Sequence, residues 1–387
     1  MSYWQGWSSV FLEHGIVKGY EISGCNYLPV YMYFLKAFGW FNGSVDEIYR
    51  NINYVKVFTL VFDFAGIYLI LSYLVKFNIS PFKVFLILFN IAYLYNSILW
   101  GQVDSIFTFF AFASIFSAIE KKAGWSIIFL VLSLNTKLQA IIFFPVIAIL
   151  LLPQFFEQPK SIFSGLIGGL ILQTIIFWPF IAESKLSIIW NVVFGSVGFY
   201  PVVSMNAFNL WFLLLEGNLM ELNDGTLFWG VTYKHWGLIL FFLFGLISLL
   251  PLLLKTLNHI LEKKTFSLEY YNIVLLTASI IPLIFFYFNT QMHERYSHPM
   301  ILFVGFYALL SSDYIVYLLL SMGYYLNLEK ILMYMRLKNY DTVFFDPKFI
   351  SLIFLVGLFY LLFQLYSYIK VDELYKLRSF KLKWKIY

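Results

Sequence analysis

Eleven hydrophobic stretches succeed one another along this 387-residue chain, and that pattern leaves few folds open to it. In hydrocarbon each backbone N–H and C=O must find its partner within the protein, so a span is either a helix or part of a closed barrel. Six stretches have the roughly 17 to 25 residues that a crossing helix needs, over about 55 to 77, 84 to 100, 162 to 182, 236 to 254, 270 to 289 and 349 to 369. Five are shorter, near 105 to 119, 125 to 134, 138 to 152, 299 to 310 and 313 to 327. The expected fold is all-α, a polytopic transmembrane helical bundle of about eleven crossings in a single membrane domain. Charged residues make up 12% of the chain and hydrophobic residues 61%. Soluble domains carry about a quarter charged residues, so a soluble class is excluded.

The short stretches set the topology. Asn135-Thr136-Lys137 interrupts the apolar run from 125 to 152, and Ser311-Ser312-Asp313 interrupts the run from 299 to 327. Two short crossings at each place put Lys76, Lys83, Lys121, Lys122, Lys160, Lys255, Lys263 and Lys264 on the cytoplasmic side, as the bias of basic residues toward that side favours. Residues 1–54 then form an extracytoplasmic first loop, 55–369 the transmembrane core, and 370–387 a basic cytoplasmic tail. That tail accounts for most of the net charge of +5, so no nucleic-acid partner is needed to explain it. Cys25 is the single cysteine and forms no intrachain disulfide. Met1 to about Arg50 is external in this scheme without a signal peptide or hydrophobic segment to export it, and a further segment upstream is expected.

The same topology gathers polar residues on the external face. Trp100-Gly101-Gln102-Val103-Asp104 and Gln291-Met292-His293-Glu294-Arg295-Tyr296 break the apolar pattern there, together with Lys137 and the long loop from 184 to 234. Charges at the mouths of spanning helices are costly unless paired, hydrated or functional. Asp104 fits either a cap on the helix beginning near Ser105 or a site, with Trp100 as a stacking ring and Gln102 as a hydroxyl-reading amide. Lys137, with Gln139 two residues on, either snorkels to the surface or faces an anion, a phosphate or the carboxylate of Asp63. The planar fork of Arg295 suits a phosphate, with carboxylates such as Glu294 holding it in place. His293 suits a leaving phosphate oxygen or a sugar hydroxyl. Asn206 and Asn209, interleaved with Phe208 and Trp211, fit a sugar-facing surface or an interfacial amphipathic helix. There is no Walker loop, dinucleotide fingerprint, zinc spacing or Asp-x-Asp pair, so neither a metal nor a nucleotide cofactor is expected.

Taken in order, Trp100 to Asp104, Lys137-Leu138-Gln139-Ala140 with Pro145, Asn206 to Trp211, and Met292 to Tyr296 with Pro299 resemble one family. It is the GT-C type of integral-membrane glycosyltransferase, specifically the bacterial relatives of the GPI-anchor mannosyltransferase that adds the second mannose. The resemblance covers essentially the whole chain. It implies a GT-C-like bundle that moves a hexose, mannose in the family, from a polyprenyl-phosphate carrier to a glycan or glycolipid acceptor with inversion. The site would face outward from the cytoplasmic membrane of a bacterium. The family begins with a further helix leading to an acidic residue in the first external loop, which this sequence does not contain. Tyr3, Trp4, Trp7 and His14-Gly15 match the segment that follows it.

Three demands then assign the residues. An acceptor hydroxyl must lose a proton to a carboxylate, for which Asp104 is the first candidate and Glu13, Glu21, Asp46 and Glu47 are substitutes. The sugar gains oxocarbenium character, with Trp100, Gln102, Gln139, Asn206, Asn209 and Glu294 around it. The leaving phosphate gains negative charge, which Lys137, Arg295 and His293 would offset. The rival classes are a lipid-linked sugar flippase, with polar residues distributed through the bilayer depth, and an inactive scaffold that retains a sugar-lipid site.

Overall fold

The computed structural model describes residues 1–196, 198–262 and 267–369, and it is helical almost throughout. The basic tail expected at 370–387 lies outside the described residues. Seven helices are long and apolar enough to cross a membrane: Val45–Lys76, Leu138–Glu157, Pro159–Ala182, Tyr233–Leu261, Leu268–Phe288, Ile315–Leu332 and Pro347–Ser367. Pro81–Leu88 and Ile91–Trp100, bent by 53° at their break, make an eighth when taken as one span. The shorter apolar helices Asp104–Ile119, Ala123–Thr136 and His298–Ser311 complete the eleven stretches read from the sequence. Both doubtful runs are divided: Lys137 is extended between two helices, and Ser312 takes a left-handed turn at φ 62°.

Two of the short helices occupy the centre. Every residue of Asp104–Ile119 except Phe109 and Ser117 is buried, as is every residue of His298–Ser311 except Ser311. At about 1.5 Å per residue, their 16 and 14 residues fall short of a hydrocarbon core of about 30 Å. Protein surrounds them instead of lipid, so they need not reach both surfaces. Phe112, Phe116, Phe303 and Phe306 interlock between them, with ring centroids 4.4 to 6.0 Å apart. Such pairs contribute roughly 0.5–1.5 kcal/mol each beyond their burial.

The bent span shows how polar residues shape one end. Asn90 caps the second half by accepting from the Tyr93 N–H at 3.0 Å, and its amide donates to the Tyr317 hydroxyl at 2.6 Å and to Ser321 Oγ at 2.8 Å. The neighbouring helix thus satisfies a break that hydrocarbon could not. The span ends in a π-helical turn, Tyr95–Trp100, closed by Gly101 at φ 72°. The left-handed turn favours glycine there; a Cβ would also stand 2.6 Å from Met1 Sδ, at the end of a flexible side chain that can move aside. Asp104 opens the next helix three residues later.

The first fifty residues are more ordered than an extracytoplasmic loop suggests. Helices Ser2–His14, Ile16–Ser23 and Pro29–Asn42 form a cluster around Trp4, Trp7, Phe11, Tyr31 and Leu35, packed on Phe110, Phe180 and Ile189. Trp4 Nε1 donates to the Gly101 carbonyl at 2.8 Å, fastening this cap to the turn before Asp104. The loop from 184 to 234 holds the helices Leu186–Gly195 and Leu210–Leu214 and a two-residue antiparallel hairpin, Leu227–Phe228 with Val231–Thr232. At the opposite end of the bundle, Lys76 pairs with Glu120 at 2.5 Å and Lys121 with Glu157 at 2.7 Å.

Candidate functional site

Helix Asp104–Ile119 begins where Ala123–Thr136 ends, and both meet the turn that follows Leu268–Phe288. Three separated polar segments therefore converge. Lys137 Nζ donates to Asp104 Oδ1 at 2.5 Å. Asp104 Oδ2 accepts from Asn96 Nδ2 at 3.3 Å and faces Arg295 Nε at 3.8 Å. Arg295 Nη1 donates to Glu294 Oε1 at 2.7 Å, and Glu294 Oε2 lies 3.7 Å from His293 Nδ1. The Lys137 ammonium also stands 4.5 Å from the Tyr296 ring centroid, a cation–π distance. Two carboxylates and two cations alternate, so their charges cancel.

Several expectations change once this network is visible. Lys137 is partnered by Asp104 and not by Asp63, whose buried oxygens have no hydrogen bond of ordinary geometry although the hydroxyls of Tyr93, Ser97 and Ser105 are its neighbours. Asp104 stands at the first helical position and makes no cap bond; its carboxylate is 0% exposed and ion-paired. Arg295 has one fork nitrogen on Glu294, and its unpartnered Nε faces Asp104, so a free bidentate fork is not on offer. His298 joins a separate group, with Nε2 3.4 Å from Ser105 Oγ, Nδ1 3.2 Å from the Tyr324 hydroxyl, and its ring stacked on Tyr93.

The two asparagines tie loops together. Asn209 donates to the carbonyls of Phe286 and Asn289 at 3.1 and 3.2 Å and accepts from the Trp211 N–H at 3.3 Å, so its amide is fully engaged. That geometry replaces the exposed amphipathic helix, since Trp211 is buried and its Nε1 donates to the Phe288 carbonyl at 3.0 Å. Asn206, left-handed at φ 65°, pairs through its backbone with His293, and its carbonyl accepts from Asn327. Trp100 packs on the main core, and the Gln102 N–H closes the π-helical turn on the Asn96 carbonyl at 3.0 Å.

A cavity of about 360 Å³ opens beside the cluster, within the size range of small-molecule sites. Leu138, Ile141, Val192, Val193, Leu238 and Phe285 supply apolar lining. Asn26, Tyr27, Lys137, Gln139, Lys234 and Gln291 are among the polar residues that line the same space. Gln139 donates to the Tyr296 carbonyl at 3.2 Å, which leaves its Oε1 without a partner. Among the described residues two lysines and no carboxylate line the cavity. Asp104, His293, Glu294 and Arg295 stand behind the wall formed by Lys137 and Tyr296; Trp100, Gln102, Asn206 and Asn209 do not line it either. Of the substitute acids, Glu21 pairs with Lys185 at 2.7 Å and Glu47 with Arg50 at 2.7 Å, while Glu13 lies 3.9 Å from His14; these three and Asp46 are absent from the cavity wall.

Sequence reasoning missed Lys234. Its signal was a lysine opening an apolar helix on the side that the sequence reading places outside, which basic residues tend to avoid. In the turn behind the cavity, burial pushes the His293 imidazole below its usual value, with Arg295 adding to the effect. Burial opposes ionisation of Glu294, but Arg295 and His293 outweigh it and hold that carboxyl below the ordinary range. At neutral pH His293 is therefore neutral and Glu294 charged. Neither a comparison with protein-family profiles nor one with characterised proteins finds a match to this chain.

Proposed function

We propose that the chain is a GT-C-like membrane glycosyltransferase that takes a hexose from a polyprenyl-phosphate donor and gives it to an extracytoplasmic glycan or glycolipid acceptor. The observation that carries this reading is a cavity lined by apolar side chains together with two lysines and, among the described residues, no carboxylate. An amphiphile with an anionic head has both kinds of surface. The order of motifs along the chain supports the same reading, with the cavity facing outward from a bacterial cytoplasmic membrane and the three short helices counted as crossings.

In the transfer, the acceptor oxygen bonds to the anomeric carbon, the bond from that carbon to the phosphate oxygen breaks, and the acceptor proton passes to water in the cavity. Polyprenyl phosphate departs with one more negative charge. Lys137 stands at the cavity wall to offset that charge, and a cation already fixed in place does so without reorganisation. Asp104, Arg295 and Glu294 act as positioning residues that hold the Lys137 ammonium. The free Oε1 of Gln139 accepts from a sugar hydroxyl. No cavity carboxylate is placed to take the acceptor proton, an observation that favours as second reading a carrier that moves the intact sugar-lipid across the bilayer.

Vesicles containing the full chain and a donor labelled with ³H in the sugar and ³²P in the phosphate separate the two. Transfer parts the labels, with ³H in the acceptor fraction and ³²P in free polyprenyl phosphate. Labels that stay together while crossing the bilayer would replace the transferase by the carrier.

A further inference from the structure

We propose that Lys234 binds the phosphate of the lipid donor, an assignment that rests on the donor reading above. The argument begins with charge. Lys137 and Arg295 are matched by Asp104 and Glu294, so that four-residue cluster has no net charge: Lys137 can answer the extra charge that develops in the transfer, but the charge the donor phosphate already carries calls for a further cation. Lys234 is different. It lines the same cavity, and no acidic side chain among the described residues forms an ion pair with it. Asp224, whose carbonyl accepts the Lys234 backbone N–H at 3.0 Å, turns its carboxylate to Thr290 Oγ1 at 2.9 Å and Gln291 Nε2 at 2.7 Å.

Position strengthens the case. Lys234 is the second residue of the thirty-residue helix Tyr233–Glu262, where the helix dipole disfavours a cation and favours an anion. Gly198, at φ 82°, borders the same space, and a Cβ on it would come within 3.9 Å of Lys234 Nζ. Leu238, one turn further along the helix, belongs to the apolar wall, so a single helix presents a charge for the head and a surface for the chain. A lipid phosphate monoester or diester has both parts.

The test uses the purified full chain in phosphatidylcholine nanodiscs, with the affinity of a fluorescent polyprenyl phosphate compared with that of the neutral polyprenol of equal length. Lys234→Gln should weaken polyprenyl phosphate binding by about tenfold, the size of one charge-assisted hydrogen bond, and leave polyprenol binding unchanged. Lys234→Arg, which restores the charge, should stay within about threefold of the original. Equal binding of polyprenyl phosphate by the original chain and Lys234→Gln would overturn the role of Lys234 alone. Equal binding of phosphate and alcohol by the original chain would remove the donor reading with it. Inorganic phosphate serves as the third probe: displacement of the lipid at equal concentration would show a site for a free anion and would overturn the lipid assignment.

Discussion

Asp104 and Lys137 form the contact on which the site depends. Breaking a buried ion pair by removing one member costs about 3–5 kcal/mol, because the remaining charge is left without a partner. Asp104→Asn and Lys137→Met should therefore each destabilise the protein by an amount of that order, as read from detergent unfolding. The double variant should be more stable than the sum of the two losses allows, since no charge is then stranded. A simple helix cap would behave otherwise, because Asn replaces Asp well in that role; additive losses would contradict the pairing. His293 gives a second expectation. Its folded pKa lies below the ordinary value of 6.5, so its contribution to stability is complete above that pH and fades as pH falls below it. Melting temperature should decline from about pH 7 to 5, and less steeply in His293→Gln. Parallel curves for the two proteins would contradict the shift. Sequence placed Asp104, Lys137, Glu294 and Arg295 in one neighbourhood because polar residues among apolar helices stand out. It did not pair them: a phosphate or Asp63 was set against Lys137, because only the packing of the helices brings Asp104 to its ammonium.

Helix lengths and breaks were the more legible level. Each of the eleven apolar stretches is helical, and the interruptions at Lys137 and Ser312 are real breaks because a lysine and a left-handed residue end their helices there. The bend at Asn90 was not foreseen. Its cause is a side chain that caps one half-helix while bonding to Tyr317 and Ser321 more than two hundred residues away, a contact with no local signature. The packing of the first loop was not legible for a related reason: Trp4, Trp7, Phe11 and Tyr31 form a cluster under the Gly101 turn through contacts distant in sequence. The arrangement of elements also fixes which loops share a face. Trp229→Cys and Asp341→Cys, both at exposed positions, and Lys122→Cys, at an exposed position of the opposite end, can each be made in a Cys25→Ser background. An impermeant thiol reagent should label the first two on intact spheroplasts and Lys122→Cys only after lysis. The reverse pattern would invert the orientation.

As a whole, the molecule is a bundle in which short buried helices set charged residues below one end and longer helices enclose a cavity with apolar and cationic lining beside them. Composition and hydrophobic spacing point to a membrane protein, and the order of motifs carries only a resemblance to a transferase family. They do not reveal the cavity, because it is assembled from segments near 26, 137, 192, 200, 234 and 290 that only tertiary packing brings together. Asn26 and Tyr27, just before the helix Pro29–Asn42, are part of its wall. Asn209, which looked sugar-facing, spends its amide on the carbonyls of Phe286 and Asn289, and the Asn206 backbone joins the 184–234 loop to Asn327. The account stands on the cavity being the donor site. A polyprenyl phosphate with a photoactivatable group on its first isoprene unit, irradiated with the full chain in vesicles and mapped by mass spectrometry, tests that placement. Labelling should fall on 138–141, 192–200, 238 or 285–296 and be suppressed by excess unlabelled polyprenyl-phosphate hexose. Labelling that survives that competition, or that falls on the lipid-facing surface and the opposite end of the bundle, would contradict it.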